Sequence, residues 1–202
     1  MFVQVIEGHV SDPAAVRAAV ERWQADLAPG AEGWLGSTAG VTSDGRMVAV
    51  VRFEDEAMAQ RNSDRPEQGA WWAEMSKLID DEPVFRNSDR VEVDMRGNPE
   101  DAGFVQVMQG GSTDPERAWK IMEQDETDWA AFRPDIIGSL NIGHPGGRWT
   151  MVNYFTSEAE AREGEKKEPP AEMQAQMEEL MSLSDGEPEY LDITEPWYYS
   201  PR

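Results

Sequence analysis

The chain has 202 residues, with 40 acidic against 18 basic side chains and a formal net charge of −22. This charge excludes a protein that binds nucleic acid by neutralising phosphates, and it argues against docking on an anionic membrane surface. The absence of cysteine excludes disulfides, thiolate metal sites and cysteine nucleophiles. Hydrophobic residues make up 39% of the chain, which is enough for a folded core.

The first half of the chain predicts short strands alternating with amphipathic helices. In chain order these are a strand over residues 2–7, a helix beginning at Asp12-Pro13, strands over residues 34–41 and 47–53 joined by an Asp44-Gly45 turn, a second helix interrupted by a loop at residues 62–69, and a strand over residues 84–93. Asp12 can cap its helix because its carboxylate accepts a hydrogen bond from a free backbone N–H. The order β-α-β-β-α-β is that of a ferredoxin-like module.

The second half of the chain repeats the first at a shift of 102 positions, so that Phe-Val-Gln-Val occurs at residues 2–5 and again at residues 104–107. Later elements of the second copy are a third strand over residues 149–155, a helix over residues 172–183 and a last strand over residues 190–199. The repeat predicts two modules, at residues 1–95 and 103–202, joined by a polar linker at residues 96–102.

The first strand predicts how its sheet is covered. Phe2 and Ile6 on one face, and Val3 and Val5 on the other, are all apolar, which is typical of a strand buried on both faces. Helices cover only one face of a ferredoxin-like sheet, so we expect the two modules to pack sheet against sheet as an intramolecular pseudo-dimer. The predicted fold class is therefore α+β, with two tandem ferredoxin-like modules.

Three features carry a resemblance to a known family: the glutamines Gln4 and Gln106 in the repeated strand, the Gly-Trp-Leu-Gly-Ser run at residues 33–37, and the Phe-Glu-Asp-Glu-Ala run at residues 53–57. With these features the chain resembles the dimeric α/β-barrel superfamily, in particular tandem members related to antibiotic-biosynthesis-monooxygenase-like domains. The resemblance implies an intramolecular dimeric α/β barrel. It also implies a choice among cofactor-free oxygenases of aromatic quinols, haem-degrading enzymes, polyketide cyclases and proteins without known activity.

Two residues are candidates for catalysis. Asp125 falls on the repeat position of Trp23, in a helical stripe whose other members are apolar. Desolvation raises the pKa of a carboxyl group, so an acidic side chain in that stripe is suited to proton transfer. The alternative is a solvated Asp125. His9, just beyond the first strand, is a second candidate base, and its alternative is a solvated turn residue.

Five residues are candidates for substrate binding. The paired Trp71 and Trp72 could line an aromatic site near the second helix, where Arg61 is one of few cations. The alternative for the tryptophans is ordinary core packing. Gln4 and Gln106 interrupt apolar strands at matching positions, so each amide either fixes a neighbouring backbone or points at a ligand.

These residues predict a protein that binds a small apolar or aromatic molecule and, if catalytic, a cofactor-independent monooxygenase-like enzyme acting on an aromatic or polyketide-type substrate. The alternative is a non-catalytic, stress-related or interaction domain of the same fold. We expect no cofactor, metal, nucleic-acid or membrane partner. Since the sequence shows neither a signal peptide nor a membrane span, we expect a cytoplasmic protein. Further homodimerisation stays open at this point.

Overall fold

The computed structural model of the chain describes residues 1–123 and 128–201. The chain divides into two compact units, one made of Met1–Val91 with the C-terminal residues from Glu195, the other of Glu92–Thr194. The strands are β1 (Phe2–His9), β2 (Trp34–Val41), β3 (Arg46–Phe53), β4 (Val84–Ser88), β5 (Val91–Met95), β6 (Phe104–Gly111), β7 (Ile136–Gly143), β8 (Arg148–Phe155), β9 (Glu189–Ile193) and β10 (Trp197–Tyr199). The α-helices are α1 (Pro13–Asp26), α2 (Glu56–Ser63), α3 (Pro66–Met75), α4 (Pro115–Glu123), α5 (Trp129–Phe132), α6 (Glu158–Gly164) and α7 (Ala171–Ser182).

Each unit holds one five-stranded sheet, with strand order β10-β2-β3-β1-β4 in the first unit and β5-β7-β8-β6-β9 in the second. The inner strands β1 and β3 pair antiparallel over their full length, and β6 and β8 do the same in the second sheet. The α+β class and the two ferredoxin-like modules predicted from the repeat are confirmed.

The structure departs from the prediction at the last strand of each repeat, because each is two strands rather than one. After β4 the chain turns at Asp89-Arg90, where the Arg90 N–H donates to Ser88 Oγ at 3.0 Å, and β5 then lies in the second sheet. After β9 the chain passes Pro196, which has no N–H to give to a ladder, and β10 pairs with β2 of the first sheet. Each trailing strand therefore covers a sheet edge beside β2 or β7.

Helix caps at α1 and α2 follow the sequence closely. Asp12 accepts a hydrogen bond from the Ala15 N–H at 3.0 Å, and Pro13 stands at the first helical position, which confirms the predicted start of α1. Asp55 caps α2 in the same way, through the Met58 N–H at 2.8 Å. The predicted loop at residues 62–69 is much shorter, since α3 begins at Pro66, a favoured first helical residue.

The core of the first unit lies between its sheet and its helices. One cluster contains Phe2, Trp23, Trp34 and Phe53, and a second contains Val16, Met47, Met75 and Trp197. On the other face of β1, Val3 and Val5 are fully buried, so the predicted burial of both faces is confirmed.

The helices of the second unit contribute fewer buried side chains. In the described part of that unit, α4 contributes no buried residue, while Met173 is the buried residue of α7. Among the described residues, the two modules share a topology, but the helices of the second bury fewer side chains.

Glu7 on β1 is a buried carboxylate between two guanidinium groups, with Arg46 Nη2 at 3.3 Å and Arg86 Nη1 also in contact. Replacing Glu7 with alanine is expected to lower the free energy of unfolding by about 1–3 kcal/mol, because both arginines lose a partner where water has little access. Urea denaturation measures this loss. The control is Glu21→Ala, which breaks an exposed pair with Arg17 and is expected to cost less than about 1 kcal/mol. Equal losses would show that Glu7 is not a buried anchor.

Candidate functional site

The first unit contains a cavity of about 310 Å³ between the sheet and helices α1, α2 and α3. Its floor is the helix-facing side of the sheet, where Ile6, Ala39 and Ala49 present small or aliphatic side chains. Ala49 lies on the central strand β3 opposite both Ile6 and Ala39, so the floor has no bulky group at its centre. The volume is at the lower end of the range typical of small-molecule sites.

Aromatic rings form much of the cavity wall. Trp23 packs edge-on against Trp34 with ring centroids 5.0 Å apart, and it lies 6.4 Å from Trp71. Trp72 meets Phe85 edge-on at 5.2 Å. Trp23, Trp71, Trp72 and Phe85 all line the cavity, which therefore offers several ring surfaces to a flat ligand.

The indole N–H groups of two of these tryptophans are already used within the protein. Trp23 Nε1 donates to Gln68 Oε1 at 2.6 Å, and Trp71 Nε1 donates to the Ala19 carbonyl at 3.0 Å. These bonds fix the orientation of both rings. A ligand would therefore meet their faces and edges rather than a free indole donor.

The polar groups in the cavity wall are neutral amides and hydroxyls. Among the described residues that line it, none carries an ionisable side chain. Asn62 is buried, with 7% of its surface exposed, and its Oδ1 accepts from Arg65 Nη1 at 3.0 Å. Within residues 1–123 and 128–201 its NH2 group has no hydrogen-bond partner, and neither has the NH2 group of Gln68. The wall thus provides two neutral donors, which a ligand carbonyl could accept from.

Arg65 holds the α2–α3 junction in place beside the cavity. Its Nη1 also donates to the Leu27 carbonyl at 3.1 Å, and its Nε to Glu67 at 2.9 Å. Gly30 allows this approach, because a Cβ there would stand 2.7 Å from the guanidinium. Arg65 thereby fixes the Asn62 amide through its oxygen, and Asn62 is a residue of the cavity lining.

Three of the predicted substrate-binding residues, Gln4, Trp71 and Trp72, line this cavity together. Arg61 does not line it and is exposed on α2, although the neighbouring Asn62 does. Gln4 is tied to the adjacent strand, where its Nε2 donates to Asn87 Oδ1 at 3.4 Å. The roles of all four in ligand binding stay predictions.

His9, a predicted base, lies at the end of β1 and outside the cavity lining. Its Nδ1 is 2.8 Å from Asp81 Oδ2, its backbone N–H donates to Asp81 Oδ1 at 2.9 Å, and 56% of its side chain is exposed. The hydrogen bonds from His9 hold the pKa of Asp81 below its usual value. His9 therefore ties β1 to the segment before β4, and its catalytic role stays a prediction.

The lowered pKa of Asp81 predicts a pH dependence of stability. A carboxylate whose pKa is depressed on folding stabilises the protein above its unfolded value of 3.8, and this stabilisation is lost as the pH falls through the lower folded value. Asp81→Asn is therefore expected to lower the urea midpoint at neutral pH, with a difference from the wild type that shrinks once the pH is well below 3.8. Asp80→Asn, at the adjacent exposed carboxylate, is the control. A difference that stays constant with pH would contradict the prediction.

Asp125, the other predicted catalytic residue, lies outside the described residues. Its predicted role in proton transfer rests on the sequence alone, in which Asp125 occupies the repeat position equivalent to Trp23.

Gln106 lies in a second, more polar pocket of about 390 Å³ in the second unit. Its Nε2 donates to Asp192 Oδ1 at 2.9 Å, which matches the Gln4–Asn87 bond of the first unit. Arg162, also in this pocket, pairs with Glu165 at 2.8 Å and with Asp192. The charged side chains of this pocket form ion pairs with one another, and the hydrogen bond of Gln106 joins β6 to β9.

Sequence reasoning missed Asn62 and Gln68 as site residues. The only available signal was the helical spacing of Asn62 from Ala59, both of which are buried on α2. Gln68 gave no signal, since its contact with Trp23 joins residues far apart in the chain.

Two further properties bear on the choice of function. Within residues 1–123 and 128–201, no group of three or more His, Asp or Glu side chains is placed to hold a metal ion. Among the described residues there is also no helix with the length and apolar character of a membrane span.

Comparison with known proteins gives relatives by structure alone. No protein-family model and no curated protein sequence matches the chain. A candidate monooxygenase from Lactobacillus acidophilus superposes with a TM-score of 0.75 at 11% identity, covering 98% of this chain and 95% of that one. An anthrone oxidase-like protein gives 0.69 at 11% identity, covering 98% and 92%.

A third structure, an uncharacterised ferredoxin-fold protein from Listeria monocytogenes related to antibiotic biosynthesis monooxygenases, gives a TM-score of 0.50 at 10% identity over 100% of this chain and 95% of that one. At such low identities the likeness concerns the fold. It confirms the resemblance seen in the repeated strands and glutamines. The chain therefore has the same two-module ferredoxin-like fold as these structures.

Proposed function

We propose that the first unit binds a neutral, planar aromatic molecule that carries a carbonyl group. The observation that carries this proposal is the cavity of about 310 Å³, whose described lining consists of aromatic and aliphatic side chains with neutral polar groups. Burying a charge in such a site without a partner is costly, so an ionised ligand is disfavoured. A flat aromatic ligand can stack against the indoles while displacing water from the floor.

The amides define where a ligand carbonyl would bind. The NH2 groups of Asn62 and Gln68 stand on the α2–α3 side of the cavity, and each amide is oriented through its own oxygen, by Arg65 and Trp23 respectively. An acceptor on the ligand would satisfy donors that otherwise have no partner among the described residues. The expected ligand is thus flat, uncharged and equipped with one hydrogen-bond acceptor.

Anthrone fits this description, being a neutral tricyclic ring system with one carbonyl, and one structural neighbour is an anthrone oxidase-like protein. We expect titration with anthrone to quench the tryptophan fluorescence in a saturable way. Ala49→Leu places three additional carbon atoms on the cavity floor and is expected to abolish saturable quenching while leaving the fold intact. The matched control is Ala73→Leu, on the exposed side of α3 and outside the lining. Equal quenching in both variants would reject this cavity as the site.

Catalysis on such a ligand is a separate step with a separate test. Oxygenation without a cofactor needs a base that removes a proton from the substrate before it reacts with dioxygen. The described lining of the cavity supplies no such base, and neither His9 nor Asp125 is among its described residues, so the catalytic roles of both stay predictions. Dioxygen uptake with anthrone that Asp125→Asn or His9→Gln abolishes would support an oxygenase. Binding without uptake would instead favour the non-catalytic alternative.

A further inference from the structure

We propose that the cavity of the first unit opens to solvent between α3 and β4, and that Gly69 keeps this opening clear. The inference rests on the proposed function for its ligand, but the opening itself is a property of the fold. It follows from which lining residues are exposed, how they are connected, and why a glycine occupies a helix at this point.

The exposed residues of the cavity wall lie on one side of it. Ser63 at the end of α2, Gly69 in α3 and Phe85 on β4 all line the cavity and are exposed, Phe85 to 47%. By contrast Ala39 and Met47, on the floor, are each 3% exposed. Water therefore reaches the cavity along the side where α3 faces β4.

Trp72 connects the two sides of this opening. It lies three residues after Gly69, so the two share one face of α3. Its ring is 5.2 Å from that of Phe85, which stands on the edge strand of the sheet. The contact between the two rings closes the gap between α3 and β4 at Trp72, so the opening lies beside Gly69, one turn nearer the start of α3.

Neither backbone conformation nor packing accounts for the glycine at position 69. The φ of Gly69 is not positive, so the residue has an ordinary helical conformation. In that conformation glycine destabilises a helix relative to alanine. A Cβ built there would meet no atom within 4 Å. At Gly164, the glycine of α6, a Cβ would stand 2.3 Å from Arg133 Nε, so packing requires glycine there. At Gly69 the space is empty.

A flat aromatic ligand is suited to this opening. It could pass with one face along Trp72 and Phe85 while its other face crosses Gly69, where no side chain intervenes. A branched side chain at position 69 would project into the same space and obstruct the passage without touching the cavity floor.

Stopped-flow fluorescence with anthrone tests this inference on Gly69→Leu, with Ala70→Leu as the control, because Ala70 is exposed on α3, lies outside the cavity lining and points away from the face of Gly69. Because Leu is a good helix former, the variant should keep or raise the urea midpoint of the wild type. We expect the association and dissociation rate constants both to fall about tenfold while Kd changes little, as for an obstructed passage. Unchanged rates would overturn the proposal. A raised Kd caused by faster dissociation alone would also overturn it, since Gly69 would then be part of the binding surface.

Acrylamide quenching tests the opening without any ligand. Acrylamide is a small neutral quencher, so it should reach the cavity tryptophans through the same opening. The component of quenching that Trp71→Phe removes is expected to decrease in Gly69→Leu and to stay unchanged in Ala70→Leu. If the wild type fails to bind anthrone but this component decreases, the proposed function fails and the opening stands. If the component does not change, the opening lies elsewhere.

Discussion

Replacing Trp23 with alanine is expected to lower the free energy of unfolding of the first unit by about 3–5 kcal/mol, the range for a truncated core aromatic residue. Trp23 is 7% exposed and contacts the rings of Trp34 and Trp71. Its removal would leave a large void next to an existing cavity, and neighbouring helices can close that space only in part. Urea denaturation followed by circular dichroism measures the loss.

Two further variants separate the contributions of the Trp23 ring and its N–H group. Trp23→Phe keeps an aromatic ring but removes the donor to Gln68 Oε1, so a smaller loss of about 1–3 kcal/mol is expected. Trp72→Ala truncates a half-buried ring at the rim of the cavity and should cost less than Trp23→Ala. If Trp23→Ala costs no more than Trp72→Ala, the aromatic cluster around Trp23 is not the centre of the core.

The importance of Trp23 also bears on how the two modules have diverged. In the repeat, the position of Trp23 is taken by Asp125, and that of Trp71 by Gln176. Gln176 Nε2 donates to the Ile121 carbonyl at 3.2 Å, and it joins α7 to α4 as Trp71 joins α3 to α1 through Ala19. Both modules thus have a hydrogen bond from this position to a carbonyl of the first helix, but the second module has an amide there instead of an indole ring. An aromatic cavity is therefore expected in the first unit rather than in its repeat.

The modules could be predicted from sequence because their elements depend on local rules. Asp12-Pro13 starts a helix through a cap that involves only Ala15, and the alternation of Phe2, Val3 and Val5 indicates burial within one strand. The trailing strands could not be predicted in this way. β10 pairs with β2, more than 150 residues earlier, and the sequence of Trp197–Tyr199 does not indicate which strand it pairs with.

The candidate site was predictable in part for the same reason. Trp71 and Trp72 were identified because large aromatic residues are conspicuous in any sequence, and Gln4 because it interrupts an apolar strand. Arg61 was chosen by charge, yet the residues that reach the cavity are its neighbours. Arg65 donates to the Leu27 carbonyl and to Asn62 Oδ1, and so joins the end of α1 to α2. Contacts between residues so far apart in the chain are set by tertiary packing and leave no local pattern.

Asn62→Leu is expected to weaken anthrone binding about tenfold, because the ligand carbonyl loses a donor whose residue is only 7% exposed. Leucine has nearly the shape of asparagine, so the cavity should keep its volume. Anthracene, which has the same three rings but no carbonyl, serves as the matched ligand. Its affinity should be unchanged or slightly raised in Asn62→Leu, since the variant wall is more apolar.

The same pair of ligands distinguishes a direct donor from the residue that orients it. Arg65 is not among the described lining residues and bonds to one of them, at Asn62 Oδ1, so Arg65→Gln is expected to weaken anthrone binding less than Asn62→Leu does and to leave anthracene unaffected. In the double variant the loss should not exceed that of Asn62→Leu alone, because Arg65 acts through the amide that has been removed. Additive losses, or equal losses for both ligands, would show that these residues support the shape of the cavity and do not provide its hydrogen-bond donor.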